Sequence, residues 1–152
     1  MRPQTAIKKV ANIIQDNVKD PNPNRRKDGL NWVYRDTPRQ DAMHPRIQVD
    51  IAGGAVEKES INSLNLRHHL NIDIKIFWDK LDYELNYEGH YITNAEDGID
   101  ILADKVMDTL RNEAIELQDE GLMFFLPTNT EQFYTDDGRL EKVISYEPHI
   151  RR

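Results

Sequence analysis

The sequence predicts an α+β domain in which a mostly antiparallel sheet carries an N-terminal helix and a long helix packed on one face. Three observations lead there. From Leu70 to Trp78, the residues Leu70, Ile72, Ile74, Ile76 and Trp78 alternate with Asn71, Asp73, Lys75 and Phe77, the two-residue period of a strand with one face on a core. Two other stretches repeat their apolar residues at the helical period instead. Finally, the helical and extended stretches follow the order helix, three strands, helix, two strands, which suits helices layered on a sheet.

In chain order, Ile7, Val10, Ala11, Ile14 and Val18 form one stripe of a helix from Thr5 to about Val18, with Ile13 at its margin. The segment from Asp20 to Asn24 stops it, because Pro21 and Pro23 remove donors and push their predecessors into extended geometry. Leu30, Trp32 and Tyr34 alternate as a short first strand. Ile47, Val49 and Ile51 face one way in a second strand, Arg46 to Ala52, which Gly53-Gly54 closes. Ala55 to Arg67 is a long polar excursion, and Leu70 to Trp78 follows as the central strand, free of Gly and Pro. Asp79 to Tyr91 is polar, with Tyr83, Tyr87 and Tyr91 at fourfold spacing as either a helical turn or a tyrosine-rich loop.

Thr93-Asn94-Ala95-Glu96 reads as a capping box opening the second helix. Its stripe runs through Ile99, Leu102, Ala103, Val106, Leu110, Ala114 and Leu117 to Gly121, the expected C′ residue. Leu122 to Leu126 has the look of a short buried strand ended by Pro127, and Leu140 to Tyr146 is the last strand. The expected organisation is a single domain, with a core from 5 to 147 and an extended, mobile tail from 148 to 152.

A chain of 152 residues can bury roughly two-thirds of its unfolded surface without staples. It contains no cysteine, which excludes disulfides and thiolate chemistry. It has no apolar run long enough to span a membrane, so no membrane partner is expected. The net charge of −7 is unevenly spread: residues 1 to 46 carry ten Lys/Arg and five Asp/Glu, whereas 79 to 120 carry three and thirteen. Such acidity argues against a free-standing nucleic-acid binder. A solvated helix face accounts for it blandly. Oppositely charged surfaces on identical subunits, however, can also meet head to tail. The candidate interface residues are therefore Arg25, Arg26, Lys27 and Arg39 against Asp97, Asp100, Asp104 and Asp108.

No phosphate-binding loop, dinucleotide fingerprint, HExxH or GxSxG motif occurs. The adjacent His68 and His69 point to opposite faces of a strand, and His44, His90 and His149 lack ligand spacing, so no metal or cofactor is expected. One constellation stands out. Asp50 and Asp73-x-Lys75 lie on the polar faces of successive strands, which resembles the PD-(D/E)XK nucleases. That resemblance implies two carboxylates holding a divalent metal and a lysine orienting water. An aspartate and a lysine alternating with isoleucine are also what any half-exposed strand provides.

Across residues 5 to 147 the layout resembles the tail terminator or tail completion proteins from the neck of tailed viruses. The amphipathic first helix, the segments Trp32-Val33-Tyr34 and Pro45-Arg46-Ile47-Gln48-Val49, and the strand Ile72-Asp73-Ile74-Lys75-Ile76-Phe77-Trp78 carry the likeness. So do the helix from Ala95 to Leu117 and two closing strands. The resemblance implies a structural protein with no catalytic residues: a homohexameric ring in the virion of a bacteriophage or archaeal virus, assembled in the host cytoplasm. Such a ring caps the tail tube, ends its polymerisation and meets the head connector and adaptor proteins, with DNA passing through its lumen without specific binding.

Overall fold

In a computed structural model, the described residues are 2–22, 32–35, 44–58, 66–80, 84–123, 126–135 and 138–150. The elements are α1 (Pro3–Asn17), β1 (Val33–Arg35), β2 (Arg46–Lys58), β3 (Leu66–Trp78), β4 (Leu85–Tyr87), β5 (His90–Ile92) and α2 (Ala95–Asn112). There follow α3 (Ala114–Asp119), β6 (Leu122–Met123), β7 (Pro127–Tyr134), β8 (Leu140–Tyr146) and β9 (His149–Ile150). The fold is α+β, with helices on a mostly antiparallel sheet.

The main sheet runs β1-β2-β3-β8-β7, and only the β1–β2 pair is parallel. β3 is its centre, paired to β2 from Leu66 to Phe77 and to β8 from Ile72 to Trp78. Past the end of β8 the sheet continues with two short strands: β9 pairs with β3, and β6 pairs with β9. Within the segment expected to be a mobile tail, His149–Ile150 form β9 and are held in the sheet, with Ile150 buried.

One face of this sheet makes the core. Ile72, Ile74, Ile76 and Trp78 on β3, Ile47 and Val49 on β2, and Leu140, Ile144 and Tyr146 on β8 are buried against Ile7, Val10 and Ile14 of α1 and Ile99, Leu102, Val106 and Leu110 of α2. Both helical stripes match the spacing read from the sequence, since each helix has one side on the sheet. α1 lies over β1 and β2, and α2 over β3 and β8. Helices are about 10 Å wide and strands about 4.8 Å apart, so two helices cover about four strands. The fifth strand, β7, is left bare, and all eight of its residues are exposed.

Several boundaries differ from the sequence reading, each for a local reason. Gly53-Gly54 does not end the second strand: β2 continues to Lys58 through a register shift between Ile51 and Gly53, and pairs with β3 back to Leu66. A bulge absorbs the irregularity. The tyrosine-rich stretch contains the β4–β5 hairpin, turned by Glu88 and Gly89, whose φ of 45° and 83° are the two left-handed positions of a type I′ turn. Tyr87 is buried there and its hydroxyl donates to Lys19 O at 2.5 Å. The helix cap is Asn94 rather than Thr93, accepting from Asp97 N at 2.8 Å. The long helix breaks at Glu113 into α2 and α3. Gly121, with φ 102°, follows α3 as the expected left-handed residue. Finally, of the strand expected at Leu122 to Leu126, Leu122–Met123 form β6 while residues 124 and 125 lie outside the described residues, and a longer strand begins at Pro127, where the sequence suggested an end.

Candidate subunit interface

The margin formed by β7 and α2 is an exposed surface that the core does not use. Among the described residues β7 pairs with β8 on one side only, which leaves its other side as an open edge. Tyr134 and Phe133 at its end are 61% and 44% exposed, and Leu126 just before it is 63% exposed. Register partners share a face, so Tyr134, opposite Leu140, lies on the helix side, and Phe133, opposite Glu141, lies on the outer side.

α2 borders this edge with its acidic row. Asp97, Asp100, Asp104 and Asp108 follow the helical repeat along one side of the helix, all exposed. They are not equally available to a partner. Asp97 completes the Asn94 cap, with Asn94 Nδ2 donating to its carboxylate at 3.1 Å. Asp100 accepts from Lys142 Nζ of β8 at 2.8 Å, and Asp108 is paired with Arg111. Glu96, one residue before the row, accepts the Tyr134 hydroxyl bond. That bond holds the Glu96 carboxyl below its usual range and pushes the Tyr134 hydroxyl up. Tyr134 and Lys142 thereby tie the β7–β8 hairpin to α2. Between them opens a cleft of about 490 Å³, lined by Asp104, Met107, Asp108, Arg111, Leu126, Pro127 and Tyr146.

Of the basic candidates, Arg25, Arg26, Lys27 and Arg39 lie outside the described residues. The structure therefore describes the acidic half of the expected pairing and not the basic half. β7 itself escaped the sequence reading. An edge strand exposed on both faces has no apolar alternation to betray it, and only its register with the alternating strand β8 could have suggested it.

The outer face of the sheet gathers the second constellation. Asp50 and Asp73 are direct register partners, and Lys75 Nζ is 3.3 Å from Asp50 Oδ2. The group is tightly bonded. Gln48, only 7% exposed, donates to Asp50 Oδ2 at 2.6 Å, and Ser145 Oγ donates to Asp73 Oδ1 at 2.8 Å. Beside it, the Arg46 guanidinium sits 4.7 Å from the centre of the Phe77 ring. Burial raises the Glu141 carboxyl above its usual range, although Lys75 and Arg46 pull against that shift. Among the described residues no three His, Asp or Glu side chains are grouped as metal ligands, and no helix is long and apolar enough to cross a membrane.

No protein-family model matches the chain, and a search of curated proteins gives no match.

Proposed function

We propose that the chain is a structural virion protein of a tailed virus, a subunit of a homohexameric ring at the head–tail junction that caps the tail tube and joins it to the head connector. The observation that carries this reading is the bare β7 edge with its aromatic end and acidic border. A closed α+β core does not need an eight-residue free edge, and a long uncovered edge is a template for pairing with another chain. The helix-strand order supports it by agreement with the layout that the resemblance implies. Unlike electrostatic halves support it too, because a ring subunit needs two different faces. In this reading Asp104 and its neighbours on α2 meet the basic segment of the next subunit at Arg25, Arg26, Lys27 and Arg39. Exposed ion pairs contribute only about 0–1 kcal/mol each, so they orient the subunits while buried edge and cleft surface supply the affinity.

The test is the mass of the purified chain by light scattering over protein concentration and salt, with negative-stain images of the product. A ring six times the 17.8 kDa of one chain that halts polymerisation of the tube protein is expected. A chain that stays at monomer mass in every condition would count against the proposal.

A second reading has one observation in its favour: Asp50, Asp73 and Lys75 do meet on adjacent strands. In a metal-dependent nuclease the two carboxylates would hold a divalent cation and Lys75 would orient water. Against it, Asp50 Oδ2 is already shared by Gln48 and Lys75, and Ser145 occupies Asp73. Asp73→Ala separates the readings, since it should abolish Mg²⁺-dependent cleavage of DNA in the second and leave assembly intact in the first.

A further inference from the structure

Among the described residues the sheet has two margins with unpaired backbone, of different character. At one lies β7. Thr135 donates its N–H to Arg139 O at 2.8 Å, and bonded and non-bonded pairs alternate along an antiparallel ladder. The pairs Phe133–Glu141 and Glu131–Val143 are therefore the bonded ones, and the N–H and C=O groups of Thr130, Gln132 and Tyr134 point away from β8. At the opposite margin β1 pairs with Ile47, Gln48 and Val49 alone, so the backbone of β2 from Asp50 to Lys58 has no neighbour on that side among the described residues. β1 itself is a poor template: it has three residues, and the N–H of Val33 already goes to Gln15 Oε1 at 3.3 Å.

Charge decides how these margins are used. Antiparallel pairing of β7 with a second β7 would keep both helix layers on one side of the joined sheet, bringing two acidic α2 rows together across the junction. At the β2 margin the helix side instead carries Arg35, exposed where β1 stops, since its register partner Val49 faces the core. We propose that β7 of one copy adds to the free margin of β2 in the next, head to tail, so that the sheets of successive subunits are continuous. This joint rests on the ring reading and specifies it: a heterologous contact repeats until its rotation closes.

Gln132→Pro removes an outward N–H while sparing the β8-directed bonds of Glu131 and Phe133. It should raise the concentration of half-assembly by about tenfold or more, with Gln132→Ala near wild type. Circular dichroism checks that the variant folds. An independent readout uses the absence of native cysteine: Thr130→Cys with Val56→Cys, two positions that register places on the helix side of the sheet, treated with a bismaleimide of about 10 Å span, roughly two strand spacings. The double variant should give a ladder from dimer to the closed species, and Thr130→Cys alone should give none. A dimer from Thr130→Cys alone overturns the joint in favour of symmetric β7 pairing. A ring that forms in the wild type, gives no ladder in the double variant and is indifferent to Gln132→Pro overturns the joint but leaves the ring, whereas a chain monomeric throughout overturns both.

Discussion

Gly98 is where α2 rests on the central strand, and Gly98→Ala tests how closely. A Cβ at this position would lie 2.8 Å from Trp78 Cζ2 and 3.0 Å from Cε2 and Cη2. Carbon atoms prefer about 3.5–4.0 Å, so the helix or the indole must yield by about 0.7 Å. Trp78 cannot swing into solvent, being buried on the core face of β3 beside Leu140. Two effects oppose each other. Alanine in a helix gains about 1 kcal/mol over glycine, while overpacking a filled core costs about 1–3 kcal/mol. The net expectation is a loss of about 1 kcal/mol, seen as a drop of about 2–4 °C in Tm for a chain of this size. Urea denaturation followed by circular dichroism, at a protein concentration where assembly is constant, measures it. The cycle with Trp78→Phe is the sharper assay, because the smaller ring removes the clash and Gly98→Ala should then stabilise. A stabilised Gly98→Ala in the wild-type background would refute the close contact.

Asn94→Ala removes the acceptor for Asp97 N and should cost about 1 kcal/mol, measurable as a lower denaturation midpoint; an unchanged midpoint would mean that the cap contributes nothing. Ile74→Ala, at a fully buried site in the middle of the sheet, should cost about 2–5 kcal/mol, a large share of the stability of a domain of this kind, and equilibrium unfolding that moves by less would contradict the packing. For Glu141, burial raises the folded-state pKa, so between the ordinary carboxylate value and the raised one the folded chain holds the extra proton. Stability from this group is therefore present at acid pH and lost as pH rises through that window. Glu141→Gln should raise the urea midpoint relative to wild type at neutral pH, the difference fading in acid, and a lowered neutral midpoint would reverse the assignment.

Elements that turn one side to the core were legible in the sequence. Ile7, Val10 and Ile14, the alternation Ile72, Ile74, Ile76, and the stripe from Ile99 to Leu117 each record a single buried face, and local spacing is enough to read it. Pairing that depends on distant residues was not. β7 reads as a polar loop because its strand character comes from β8, and the apolar run at Leu122 drew attention instead. Gly53-Gly54 broke the alternation of β2 without ending its ladder. In the candidate interface the acidic row on α2 was visible from charge and period alone. Nothing local foretold that Lys142 would neutralise Asp100, or that Tyr134 would bond Glu96, across forty-two and thirty-eight residues of chain.

The two tryptophans offer a practical consequence of the core. Trp32 and Trp78 are the only indoles in the chain, both about 2% exposed, and neither lies on β7. Their emission should be blue-shifted in the native chain and move to the red only when the core opens. Fluorescence wavelength thus follows unfolding and stays nearly silent as copies associate, which lets the two equilibria be read separately in one sample.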